Sequence, residues 1–200
     1  MSLYVDEKDL EGHSVRLVLK EKDITADIIF VEEGNKPEDL DLLNPYGVVL
    51  TLVDRDLVLY QAQIIMEYLD ERYPHPPLMP VDPVSRATNR QFRYRITRDL
   101  FSLSIKAESS EAEVALDAKN QIRDNLQALT PIFEQYKYFM SDEYSLVDMC
   151  LSTILWRLGH WDIKLGGSSK AIYKYADKMF QRETFVASLS DFEKEMRTIV

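Results

Sequence analysis

The sequence predicts two domains, a small α/β domain followed by an all-helical one. Short apolar runs alternate with amphipathic segments in the first third of the 200-residue chain, and long stretches of helical periodicity fill the rest. Five of the eight prolines fall between Pro74 and Pro83, where these two regions meet. Proline lacks an amide donor and restricts the residue before it, so a helix cannot continue through this segment. We therefore expect domains at residues 1–76 and 85–200, joined by a proline-rich linker at residues 77–84.

The first domain is predicted to have the element order β-α-β-α-β-β-α. Apolar and β-branched runs indicate strands at residues 3–5, 27–31, 48–53 and 57–59. Helical patterns indicate helices at residues 13–22, 37–43 and from about residue 61. This order is typical of a thioredoxin-like α/β sandwich.

The second domain is predicted to consist of helices alone. Helical patterns cover residues 85–107, 110–136, 171–180 and 190–197. Ser145 and Asp148 have the spacing of a capping box, so another helix should begin at Leu146. Its apolar run to Leu158 indicates a central buried helix, with Cys150 as a core residue. The arginines of residues 86–98 are interpreted as one solvated helix face.

The composition excludes several classes of function. The net charge of −10 opposes direct binding to nucleic-acid phosphates. A single cysteine cannot form an internal disulfide, and no Cys or His residues have metal-ligand spacing, so we expect no metal and no cofactor. The chain shows no signal peptide and no apolar run of the ~20 residues that a membrane span requires. These features predict a cytoplasmic protein.

Several segments resemble known families. HSVRLVLKEK is similar to the first helix of glutathione transferases, and the segment from Asn44 to Leu52 resembles their NPxGxVPxL loop. Within that superfamily, the segments LVDRDLVLY, IIMEYLDERYPHPPLMPV, FMSDEYSLVD and FQRETFVASLSDFEKEMR resemble the stringent starvation protein A family. The resemblance implies a glutathione transferase fold, a homodimer and no transferase activity. It also implies association with RNA polymerase holoenzyme, including its sigma factor, under stress or starvation.

The positions that would contact glutathione hold unsuitable residues. A carboxylate near the thiolate position, at Asp9, would repel a thiolate. Gln61 carries no charge for the ligand's ammonium, and Ala62 offers no hydroxyl. The position of the family's cis-proline holds Leu50, so the Val49–Leu50 peptide is predicted to be trans. We interpret Asp9, Gln61 and Ala62 as ordinary surface and helix-start residues, and a glutathione-binding or transferase function as the weaker alternative.

Pro74, His75, Pro76 and Pro77 are the candidate partner-binding residues. The residues alone allow a solvated turn, or a recognition patch that is preorganised because prolines lose little entropy on binding. The resemblance implies the second, since the family's Pro-His-Pro motif contacts RNA polymerase and its sigma factor. Residues 60–73 and 85–101 are expected to flank the dimer interface, and a heterodimer with a related subunit is a further alternative.

Overall fold

A four-stranded mixed sheet forms the first layer of the fold, in the computed structural model that describes residues 1–32 and 35–197. Its strands, in the order β2-β1-β3-β4, are β1 (Ser2–Val5), β2 (Asp27–Phe30), β3 (Thr51–Asp54) and β4 (Leu57–Tyr60). β1 pairs parallel with β2 and antiparallel with β3, so Leu3 lies beside both Ile28 and Leu52. A parallel pair needs a crossover connection, which the first helix provides.

Three helices complete this domain: α1 (Leu10–Glu21), α2 (Glu38–Leu43) and α3 (Ala62–Arg72). The observed order is the predicted one, and the predicted fold class is confirmed. Helix α1 begins three residues earlier than predicted because the Asp9 carboxylate accepts hydrogen bonds from the amides of Glu11 and Gly12. Position 12 requires glycine, because a Cβ added there would lie 2.1 Å from the Val5 side chain.

The second domain consists of helices. They are α4 (Pro83–Ile96), α5 (Ser102–Ala107), α6 (Ala112–Ala128), α7 (Thr130–Gln135), α8 (Leu146–Arg157), α9 (Lys170–Phe180), α10 (Glu183–Ser188) and α11 (Asp191–Glu195). A π-helical segment, Thr97–Phe101, joins α4 to α5, so the predicted helix at 85–107 is nearly continuous. Helix α4 starts at Pro83, two residues before the predicted start, because proline suits a first helical turn and the Asp82 side chain caps the amide of Ser85.

Two helical predictions in this domain need correction. The helix predicted at residues 110–136 is two helices, α6 and α7, because Pro131 in the first turn of α7 has no amide to continue the hydrogen-bond ladder. Helix α10 was not predicted, since its six residues are too few for a clear helical period. The predicted domain at 85–200 extends three residues beyond the described part of the chain.

Helix α8 is the centre of the core, as predicted. All twelve of its residues are buried, and Ser145 and Asp148 form the predicted capping box at its start. The domains meet around α1, which packs against α3, α8 and α10. At this junction the Glu193 carboxylate bonds to Arg16 of α1 and Arg157 of α8, each at 2.6 Å. Within the described residues, no helix is long and apolar enough to span a membrane.

Candidate functional site

The proline-rich segment leaves α3 as an exposed strip of chain. Helix α3 ends at Arg72, and Pro74 prevents its continuation because it has no amide to donate. Pro74, His75, Pro76 and Pro77 are all exposed, as the sequence predicted for a surface feature. The described residues contain one cis peptide bond, His75–Pro76, so the Val49–Leu50 bond is not cis.

The buried Lys22 binds the backbone of this strip. The ammonium of Lys22, at the end of α1, donates to the Asp70 carboxylate at 2.5 Å, to the Tyr73 carbonyl at 2.7 Å and to the Pro76 carbonyl at 2.5 Å. The same Asp70 oxygen accepts from the amide of Leu78 at 2.8 Å. All three ammonium protons therefore have partners, and the backbone on both sides of His75 is fixed to α1 and α3.

The strip is also anchored where it ends. Leu78 and Met79 are buried, and the Leu78 carbonyl accepts a hydrogen bond at 3.0 Å from the amide of Leu146, the first residue of α8. This bond satisfies one of the amides that a helix start leaves free. The exposed prolines thus lie between two buried anchors, one in each domain.

A groove lined by both apolar and polar residues continues from Pro77. Its volume is about 560 Å³, and it is lined by residues 77–82, the first turns of α4 and residues 139–147. Val81 and Val84 are 90% and 73% exposed beside it. Pro77 lines this groove, whereas Pro74, His75 and Pro76 do not. The structure therefore places the predicted patch next to a cavity that sequence analysis did not identify.

Ion pairs join α3 to α4, the helix that lines one side of the groove. The Glu67 carboxylate accepts hydrogen bonds from Arg90, at 2.7 Å, and from the buried Arg93. Burial raises the pKa of Glu67, but the two guanidinium groups outweigh it and hold that pKa below its usual value. The prediction of one solvated arginine face is wrong for Arg93, because α4 packs on α8 along the side that carries it and the Arg93 guanidinium bonds to Glu67 of α3.

The residues at the glutathione-contact positions lie around the starts of α1 and α3. Asp9 is half-buried and caps α1, so it is a helix-start residue as predicted, and burial raises its pKa. Gln61 is exposed and precedes α3 with a φ of 78°, a strained value for a residue with a side chain. Ala62 is a helix-start residue as predicted, but it is buried, so the surface prediction is wrong for this residue. Val49 is half-buried and Leu50 is buried.

Sequence analysis missed Glu11, which lies beside these positions. Burial, and then the neighbouring charge of Asp9, raise its pKa to about 7, while a hydrogen bond from the Ala62 amide acts in the opposite direction. The sequence signal that could have pointed to Glu11 is the pair of acids, Asp9 and Glu11, on either side of the first residue of α1. A carboxylate of the chain itself therefore lies near the start of α3.

Metal binding and thiol chemistry can be assessed from the described residues. They contain no group of three or more His, Cys, Asp or Glu side chains that could hold a metal ion. Cys150 is buried, as predicted, and burial raises the pKa of its thiol to about 11. A thiol in this environment is a poor nucleophile at neutral pH.

Comparison with known proteins identifies the family. The model of the glutathione S-transferase N-terminal domain matches residues 12–72, and that of the C-terminal domain matches residues 93–183. A stringent starvation protein A homolog from Coxiella burnetii is 44% identical over the whole chain and 96% of its own length. One from Pasteurella multocida is 47% identical over 94% of this chain and 90% of its own length. The chain belongs to the stringent starvation protein A family.

Solved structures place this family member in the glutathione transferase fold. A theta class glutathione S-transferase from Xanthomonas axonopodis pv. citri, with glutathione bound, has a TM-score of 0.84 at 20% identity, covering 94% of this chain and 96% of its own. Glutathione transferase Omega 3C from Trametes versicolor has a TM-score of 0.81 at 22% identity, covering 95% and 89%. At these identities the likeness shows the fold alone.

Proposed function

We propose that this protein is a non-catalytic transcription regulator that binds RNA polymerase and its sigma factor under stress or starvation. Its contact surface is Pro74, His75, Pro76 and Pro77. The observation that carries the proposal is an exposed Pro-His-Pro strip whose flanking backbone is held by the buried Lys22 ammonium. Membership of the stringent starvation protein A family supports it.

The physical argument is preorganisation. A recognition segment that is already rigid loses little conformational entropy when a partner binds. Here prolines restrict the chain, and Lys22 fixes the carbonyls of Tyr73 and Pro76. The His75 ring can donate, accept or stack from this support. The adjacent groove, with Val81 and Val84 exposed, adds apolar area that a partner can cover.

The alternative function, glutathione binding or transfer, has a specific electrostatic obstacle. Glutathione brings a γ-glutamyl carboxylate toward the start of α3 and a thiolate toward the start of α1. Glu11 lies near the start of α3, and Asp9 lies at the start of α1. The Asp9 carboxylate would repel the thiolate, and the ionised form of Glu11 would repel the γ-glutamyl carboxylate. We therefore assign no catalytic residue and no cofactor.

The proposal includes a homodimer in the cytoplasm. Ile64 on α3 and Tyr94 on α4 are 52% and 57% exposed, on helices within the segments expected to flank the interface. A two-fold pairing through them would cover this apolar area and present the Pro-His-Pro strip twice. Pairing with a related subunit is the alternative, and it would present the strip once.

The test is capture of RNA polymerase holoenzyme by purified wild-type protein and by the triple variant Pro74→Ala, His75→Ala, Pro76→Ala. The Lys22 bonds end on backbone carbonyls, so the variant should fold, and exposed substitutions usually change stability within ±0.5 kcal/mol. The matched control is Pro45→Ala with Tyr46→Ala, an exposed proline turn elsewhere in the chain. We expect capture to fail for the triple variant alone, and equal recovery by all three proteins would refute the assignment.

A further inference from the structure

A second cavity lies between α1, β2 and the chain that follows α10. Its volume is about 260 Å³, close to the lower end of the ~300–1,000 Å³ range of small-molecule sites. None of the residues that line it also lines the groove beside the proline-rich segment. It is therefore a separate feature, and the function proposed above does not use it.

One wall of this cavity is apolar. Leu19 of α1, Ile28 and Phe30 of β2, and Leu189 line it. Phe30 is 45% exposed, which is unusual for a phenylalanine on a small sheet. An apolar body bound here would remove this surface from water, at roughly 25 cal/mol for each Å² covered.

The same cavity contains an incompletely paired guanidinium. Arg16 lines it and is 3% exposed. Its Nε donates to the Ser188 carbonyl at 3.1 Å and its Nη2 to the Glu193 carboxylate at 2.6 Å. Its Nη1 is buried and has no hydrogen-bond partner among the described residues. A buried donor without a partner costs about 1–3 kcal/mol, so an acceptor at this point would be stabilising.

The position of the guanidinium ties the two features together. It lies over the Phe30 ring, 5.4 Å from the ring centroid, so charge and apolar surface meet at one place. The exposed Lys20 adds a second cation to the lining. Two acids also line the cavity and are already engaged: Asp191 bonds to Lys194 at 2.9 Å, and Glu7 accepts from the Phe192 amide at 2.9 Å.

We propose that this cavity binds a small amphipathic monocarboxylate. The ligand's carboxylate accepts a hydrogen bond from Nη1 of Arg16, and its apolar body lies along Ile28, Phe30 and Leu189. A cationic ligand is disfavoured by Arg16 and Lys20, and a short acetate-like anion leaves the apolar wall uncovered. A charge-assisted bond to a guanidinium is among the stronger hydrogen bonds, which favours a carboxylate over an alcohol.

The probe is octanoate, titrated into the full chain and followed by amide chemical shifts and by calorimetry. We expect saturable binding with shifts centred on α1, β2 and residues 187–191. Octylamine and acetate, the matched cationic and truncated probes, should each bind at least about tenfold more weakly. Equal binding of either probe would overturn the proposal, as would octanoate shifts centred elsewhere or no saturation.

Two variants separate this site from general surface binding. Ala187 is exposed on the cavity lining. The Ala187→Trp side chain should therefore fill the cavity and weaken octanoate binding about tenfold or more. Lys20→Glu should weaken it through charge reversal, whereas Lys170→Glu, an exposed change outside the cavity, should not. Thermal melts of each variant verify folding. Unchanged octanoate affinity in folded Ala187→Trp would refute the location of the site.

Discussion

Replacing Lys22 with methionine tests the buried support of the proline-rich strip. Methionine fills a similar volume but removes the ammonium and its three hydrogen bonds. Asp70 would then keep a buried charge without its cation, and the Tyr73 and Pro76 carbonyls would lose a donor. The substitution therefore removes one partner of a buried ion pair and leaves the other partner in place.

The expected cost follows from that geometry. Breaking a buried ion pair by removing one partner costs about 3–5 kcal/mol, because the remaining charge is uncompensated. For a chain of 200 residues each kcal/mol lowers Tm by roughly 2–4 °C, so the fall should be on the order of 6–20 °C. The adjacent exposed Lys20→Met is the matched control, and its cost should lie within about ±0.5 kcal/mol.

Denaturant unfolding of both variants measures these values, and the double variant Lys22→Met with Asp70→Asn completes a cycle. The second change removes the uncompensated charge, so it should recover part of the loss. Polymerase capture should also weaken in Lys22→Met at temperatures where it is folded, because the strip has lost its support. A loss below about 1 kcal/mol would show that the three contacts do not hold this segment.

Three further predictions concern activity, assembly and pH. Conjugation of glutathione to a generic electrophile should not exceed a heat-killed control, and clear turnover would contradict the assignment of Asp9, Glu11 and Ala62. Light scattering at micromolar concentration should report the mass of a dimer, whose interface we expect to bury ~1,600 Å² or more, and the mass of a monomer would contradict this prediction. Burial lowers the pKa of His13 from 6.5 to about 4, so between these values the unfolded chain binds a proton that the folded chain does not. The His13 contribution to the free energy of unfolding should therefore fall by about 3 kcal/mol as the pH drops through this window. The raised pKa values of Glu11 and Asp148 act in the opposite direction, so the difference between wild type and His13→Gln, measured at each pH, isolates the His13 contribution.

Local sequence patterns were sufficient to predict the fold class and the order of elements in the first domain. The capping box at Ser145 and Asp148 requires only two residues at fixed spacing, and the structure has it where predicted. The end of α3 before Pro74 follows from proline's missing amide in the same way. The element order of the first domain follows from alternating strand and helix periods, which are also local.

The support of the candidate site could not be predicted in this way. Lys22 and Asp70 are 48 positions apart, and Arg93 is 26 positions from Glu67. A charged residue in a helical pattern is by default assigned to the solvent, and only the tertiary partner shows that it is buried. Glu11 was missed for a related reason, since its importance depends on the Ala62 amide, which reaches it only in the folded chain.

The position of the strip depends on both domains. Lys22 and Asp70 bring α1 and α3 to its backbone, while the Leu78 carbonyl joins it to the start of α8. Arg16 and Arg157 share the Glu193 carboxylate, so α1 and α8 are themselves held together by a buried cluster of opposite charges. Burial raises the pKa of Glu193, but the nearby His13, Arg16 and Arg157 outweigh it and keep that pKa well below its usual value, so the carboxylate stays charged. The proline-rich strip is thus exposed where a partner can reach it, while the residues that fix it, Lys22, Asp70 and Leu146, are buried.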